Sequence, residues 1–225
     1  MKRLSILPAL AMTLLACDGS GASTDMSGAH AGGCSRMSSD DRAVIENAFG
    51  YYPDGLSPLS QAILCDDSAE VDRLLTQGAN PNQREPGGLT PVIVAAALSR
   101  EPMLLRLLNA GGDANAHESD TRTLALSYAF SAGVHRDDWR AYYRLLDHGA
   151  DINLSADGGP TIARWASSLG RFDKVVELLD RGYRHDLPAL ARSVQSRNVP
   201  DKAKDMQAQL LARINALIEQ EKAAR

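Results

Sequence analysis

Thr90-Pro91-Val92-Ile93-Val94-Ala95-Ala96 and, further along the same segment, Leu107-Leu108-Asn109-Ala110-Gly111-Gly112-Asp113-Ala114-Asn115 decide how this chain folds. Both phrases return. Ser57-Pro58-Leu59 opens the segment before, which closes Leu74-Leu75-Thr76-Gln77-Gly78-Ala79-Asn80-Pro81-Asn82. The hydroxyl residues at 57, 90 and 123 and the glycines at 78 and 111 advance in equal steps of 33. A Ser or Thr before proline predicts a helix start, because the hydroxyl caps a first-turn amide and proline needs no amide hydrogen there. Val71, Leu74 and Leu75, then Leu104, Leu107 and Leu108, have the i, i+3, i+4 spacing of one buried stripe on a second helix. Gly78, Gly111, Gly149 and Gly182 follow such stripes, as a left-handed C-cap requires. Asn82, Asn115 and Asn153 stand in the turn beyond, where an asparagine side chain bonds nearby backbone.

The spacing breaks once. From Gly111 to Gly149, and from Thr123 to Thr161, the step is 38 in place of 33. Both place five extra residues inside the third copy, expected between its two helices around Gly133-Val134-His135-Arg136-Asp137. The fourth copy runs from Thr161-Ile162-Ala163 through Gly170 and Val175-Val176-Glu177-Leu178-Leu179 to Gly182.

These phrases, in phase at this period, resemble ankyrin repeats. The chain departs from that pattern where a histidine usually stands, with Ser60, Ile93, Leu126 and Arg164 in its place. The resemblance implies an all-α repeat solenoid of about four ankyrin repeats with capping helices at both ends. On this reading residues 1–16 are a signal peptide, 17–38 a tether, and 39–225 one repeat domain. Within it lie an N-terminal cap at 39–56, repeats at about 57–89, 90–122, 123–160 and 161–190, and C-terminal capping helices over 191–225. Caps are needed because no unit buries its apolar face alone. Asp40–Phe49 reads as the first. Met206, Leu210, Leu211, Ile214 and Leu217 stripe the last.

Met1-Lys2-Arg3 followed by the uncharged apolar run Leu4–Ala16 reads as a secretory signal, too short to span a bilayer. Its end, Leu14-Leu15-Ala16-Cys17, resembles a bacterial lipobox, which implies a lipidated Cys17. An ordinary cleaved signal with an unmodified cysteine is the alternative. The Gly- and Ser-rich stretch after it cannot build a core and reads as a flexible tether. In an oxidising compartment, Cys34 and Cys65 are then a candidate disulfide, with two free thiols the other reading. Removing Lys2 and Arg3 leaves 22 basic against 28 acidic side chains, a net charge of −6. That balance disfavours nucleic acid as a partner.

Chemistry is hard to find in this chain. The five histidines, His30, His117, His135, His148 and His185, show no metal-ligand spacing, and there is no nucleophile elbow or phosphate-binding loop. Gly87-Gly88 and Gly158-Gly159 fall in turns between copies, and Asp66-Asp67 and Asp137-Asp138 read as loop charge. No cofactor, metal or catalytic activity is expected.

The resemblance instead implies recognition by hairpin tips and the exposed ends of the first helices. Mapped onto this chain, the helix-end candidates are Leu64, Cys65, Ala97, Leu98, Phe130, Ser131, Ser168 and Leu169, an apolar patch of the kind that marks interfaces. Rotated helix ends would make the same residues core. The tip candidates are Arg84, Glu85, His117, Glu118, Asp120 and Asp157, a mostly acidic rim. An exported ankyrin lipoprotein resembles immunity proteins that neutralise toxic effectors such as phospholipases. It also resembles periplasmic ankyrin factors that support catalase. The expected partner is accordingly another protein, bound by a chain that is monomeric alone, faces the periplasm and touches the membrane only through its lipid.

Overall fold

Ser57, Thr90 and Thr161 each accept a hydrogen bond from the amide three residues on and start a seven-residue helix. This is the capping that the hydroxyl positions predict. The computed structural model describes residues 39, 42–43, 46, 55–119, 122–155 and 159–224. All of them belong to one compact unit, Cys34–Arg225. Cys17, Cys34, Asp120 and Asp157 lie outside the described residues, as does the tether.

The fold is all-α. Its helices come in pairs: α1 (Pro58–Leu64) with α2 (Ser68–Thr76), α3 (Pro91–Ala97) with α4 (Glu101–Asn109), and α5 (Ala125–Arg136) with α6 (Arg140–Asp147). Next come α7 (Ile162–Ser168) with α8 (Phe172–Asp180), and α9 (Leu187–Ser196) with the long α10 (Asp201–Ala223). The first helices form one row, each packing on the next from α1 to α9. In the second row α2 meets α4, α4 meets α6, and α8 meets α10. Among the described residues there is no strand, only the isolated bridges His117–Leu124 and Ser155–Thr161. Ser39, Arg42, Ala43 and Glu46 are helical, within or beside the stretch read as the first cap.

Second helices end where the glycines stand. Gly111 has φ +89°, a left-handed conformation open to glycine without a Cβ penalty, and its amide bonds the Leu108 carbonyl. Of the stripes predicted from spacing, Leu74, Leu75, Leu211 and Leu217 are only partly buried and Met206 is 49% exposed, while Val71, Leu104, Leu107, Val175 and Leu178 are fully buried. Each such side chain contributes roughly 1.5–3 kcal/mol by leaving water.

Ion pairs link successive second helices. Arg106 reaches Asp72, Arg144 reaches Glu101, Arg181 approaches Asp147, and Arg213 reaches Asp180. Most of these groups are a third or more exposed, so each pair is worth roughly 0–1 kcal/mol. They favour one register between neighbours, while apolar burial holds the rows together.

Two sequence expectations are corrected. The insertion is not a loop: Gly133 to Arg136 are helical, and α5 has 12 residues where α1, α3 and α7 have 7. A glycine is tolerated there because Trp139 lies flat against it. A Cβ on Gly133 would come within 2.6 Å of that ring. Thr123 is also not the cap of α5, which begins at Ala125 with Leu124 at its N-cap and no side-chain capping bond.

Candidate functional site

The hairpin tips are partly structural. Glu85 is buried and accepts from the Ser57 amide at 2.8 Å, the Ser57 hydroxyl at 2.5 Å and the Ser60 hydroxyl at 2.7 Å. Its carboxylate thereby ties one tip to the start of α1. Glu118, at the matching place one unit on, is buried too and accepts from the Tyr128 hydroxyl at 3.0 Å. The expected acidic rim is therefore corrected, since burying an unpaired carboxylate is costly and these two are hydrogen-bonded inside. Arg84 is exposed and donates to the carbonyls of Gly88 and His117, joining consecutive tips. His117 is half-buried, with Nδ1 3.1 Å from the Glu118 carbonyl.

The helix ends divide more sharply. Leu64, Leu98 and Phe130 are 2%, 1% and 0% exposed, so they are core and not a free surface. The end of the longer α5 and the turn after it add contacts at two of the three. Arg136 at its end donates to the Leu98 carbonyl at 2.8 Å. Trp139, in the turn after α5, stands edge-on to Phe130 at 5.4 Å, and Tyr142 and Trp165 close the other sides at 5.8 and 5.5 Å. Ala97 is buried, Ser131 is half-buried and Leu169 is 42% exposed, so of the eight helix-end candidates Ser168 and Leu169 are openly exposed. Cys65 is half-buried and disulfide-bonded; its partner lies outside the described residues.

Between α6 and α8 lies a cluster that the sequence reading did not single out. Lys174 is buried, with its ammonium 4.2 Å from the centre of Trp139 and 4.6 Å from that of Tyr143. It donates to the Tyr143 hydroxyl and to Glu177, and Tyr143 donates to the same carboxylate. Trp139, Tyr142 and Tyr143 at i, i+3, i+4 were the available signal. A cation over ring faces, hydrogen-bonded to a carboxylate, keeps most of what water would give it. The cluster thus couples α5, α6, α7 and α8.

Its weak point is the Tyr142 hydroxyl, buried and without a hydrogen-bond partner among the described residues. Burial, and then the charge of Glu177, push its pKa well above the usual tyrosine value. A buried unpaired donor costs roughly 1–3 kcal/mol. Tyr142→Phe is accordingly expected to raise stability by ~1 kcal/mol, read as an upward shift in the calorimetric melting temperature. A downward shift would mean that the hydroxyl has a partner.

The loop carboxylates behave as charge, not as an acid/base pair. Asp138 is held below the ordinary aspartate range by its bidentate hydrogen bonds to Arg140, and Asp173 by those to Arg171. Asp67 caps α2 and Asp66 pairs with Arg100. Among the described residues no group of three or more His, Cys, Asp or Glu is placed to hold a metal ion, and no helix is long and apolar enough to cross a membrane.

No family model matches the chain. Over 92 residues it is 37% identical to the inactive serine/threonine-protein kinase TEX14 of Bos taurus. That match covers 39% of this chain and only 6% of the relative's length.

Proposed function

We propose that this chain is an ankyrin-type repeat solenoid that binds another protein and acts as an immunity protein against a toxic effector such as a phospholipase. It is held at the periplasmic face of a bacterial membrane by a lipid on Cys17. The observation that supports the repeat reading most is a set of bonds between neighbouring units. Asn82 accepts from the Asp113 amide, Asn115 from the Asp151 amide, and Asn153 from the amides of Arg184 and His185. The sequence reading assigned these amides to nearby backbone, but each reaches the turn of the next unit. They recur in step with the spacing, and the insertion in the third unit does not break the series. Equivalent contacts between equivalent neighbours are what a quasi-one-dimensional stack requires.

Such a stack presents a long continuous surface, which suits binding to another protein. The immunity role rests on address and architecture, so it is an analogy of fold. Cross-linking in the native membrane fraction, followed by titration of the purified pair, tests it. The expected result is a tight one-to-one complex in which the partner's toxic activity is suppressed. A complex with a peroxide-defence enzyme, or no complex, contradicts it. Cys17→Ser tests the address separately: it should leave the membrane fraction or stall in processing, and unchanged fractionation and migration would exclude the anchor.

A further inference from the structure

The first-helix row carries no carboxylate. No Asp or Glu occurs in α1, α3, α5, α7 or α9, whereas His135, Arg136, Arg164 and Arg192 do. Their partners α2, α4, α6 and α8 hold Glu70, Asp72, Glu101, Asp147, Asp173, Glu177 and Asp180. Burial alone would remove both signs of charge from the first row. Here it is only the negative one that is missing, in a chain whose net charge is −4.

The row is accessible in places, with Pro188, Arg192, Gln195 and Ser196 of α9 exposed as well. In α3 every residue is buried, but α5 leaves Ser127, Ser131 and Val134 half-exposed and His135 exposed. These residues share one helical stripe. Trp165 on α7 is half-exposed and Leu169 just after it is exposed, at positions matching Ser127 and Ser131; Ser168 beside them is exposed too. Ser127 stands to Trp165, and Ser131 to Leu169, at the same step of 38 that separates these two units, and α5 packs on α7. The two stripes therefore face the same way and form one surface.

Positive charge borders it. The Arg197 guanidinium lies beside Gly170, 3.8 Å from where a Cβ would stand. Arg164 is half-buried on α7, and its Nε is buried with no hydrogen-bond partner among the described residues. Among the described residues, Asp137 after α5 accepts from the Trp139 indole, Asp138 binds Arg140, and Asp173 in the first turn of α8 binds Arg171.

We propose that this surface, centred on Trp165 and Leu169 and bordered by Arg164 and Arg197, docks an acidic segment of a partner protein. An apolar side chain of that segment would cover Leu169, and its carboxylates would meet the guanidinium groups. Arginine suits the task because its planar donor fork matches a carboxylate and is held by few rotamers. Serine hydroxyls at 127, 131 and 168 add adaptable hydrogen bonds around the apolar centre. The charge separation would also speed encounter with an acidic partner and make the rate fall with salt. This inference rests on the reading of the chain as a protein-binding stack.

Fluorescence anisotropy with the full chain and a short labelled peptide of glutamates around two leucines tests it. The expected result is saturable binding that weakens with salt. Arg164→Gln combined with Arg197→Gln should weaken it at least about tenfold, and Leu169→Ser should do so alone. Arg73→Gln, on the second row, should change nothing, and all variants should keep the parental melting temperature. Absence of saturable binding, equal binding of a lysine–leucine peptide, or indifference to the double substitution would overturn the proposal. So would concentration-dependent dimerisation lost in the same variants, which would make the occupant a second copy. Should the native partner recovered by cross-linking bind the double variant as tightly as the parent, this surface falls while the protein-binding reading stands.

Discussion

Phe130→Ala is expected to cost ~3–5 kcal/mol of folding stability, as large aromatic-to-alanine changes in a packed core do. The ring is fully buried and makes three aromatic contacts, with Trp139, Tyr142 and Trp165 at 5.4 to 5.8 Å. Each such pair adds about 0.5–1.5 kcal/mol beyond area burial. Because domains of this size have a total stability of roughly 5–15 kcal/mol, the variant should be marginal or unfolded at physiological temperature. Urea unfolding checks it: the midpoint should fall steeply. A loss below about 1 kcal/mol, the ordinary range for surface substitutions, would place the ring at the surface, contrary to the packing around α5.

Breaking the Cys65 disulfide should have the next largest effect, ~3 kcal/mol if the bridge closes a loop of about 30 residues to Cys34. Reduction should lower the melting temperature by several degrees, Cys65→Ser should reproduce the loss, and reductant should then have no further effect. Peptide mapping of the oxidised chain should join Cys65 to Cys34. A reactive thiol at Cys65 in natively purified protein would contradict the bridge, and a link to Cys17 would contradict both the pairing and the lipid.

Local rules carried most of the fold. Ser57, Thr90 and Thr161 cap helices as their hydroxyls predict, the glycines close second helices, and Leu104 and Leu107 are core because their spacing puts them on one stripe. Two adjacent steps of 38 in place of 33 reveal five extra residues but not whether they lengthen a helix or a loop. Gly133 favours the loop by intrinsic propensity, and only the flat contact with Trp139 reverses that.

The candidate surface failed to read correctly for the same reason. Phe130 packs on Trp139, just beyond the lengthened α5, and Arg136 at the end of that helix bonds the Leu98 carbonyl, contacts that depend on a helix length that spacing leaves open. Glu85 looked like a free tip because its donors, Ser57 and Ser60, are 28 and 25 residues earlier. Leu169, in the turn after the seven-residue α7, keeps its predicted exposure.

The central claim is that these helix pairs are equivalent units stacked in line, each contacting only its neighbours. Deleting residues 90–122, one full step of 33, tests it most directly. If the units are equivalent, Leu89 joined to Thr123 restores the phase, and Asn82 meets the turn of the third unit as it met that of the second. The shortened chain should then keep the parent's helical circular dichroism per residue and unfold in one cooperative transition at a lower temperature. A chain that loses its cooperative transition, with near-ultraviolet signal gone and dye-binding apolar surface exposed, would show that the pairs are not interchangeable and that the stack is the wrong description.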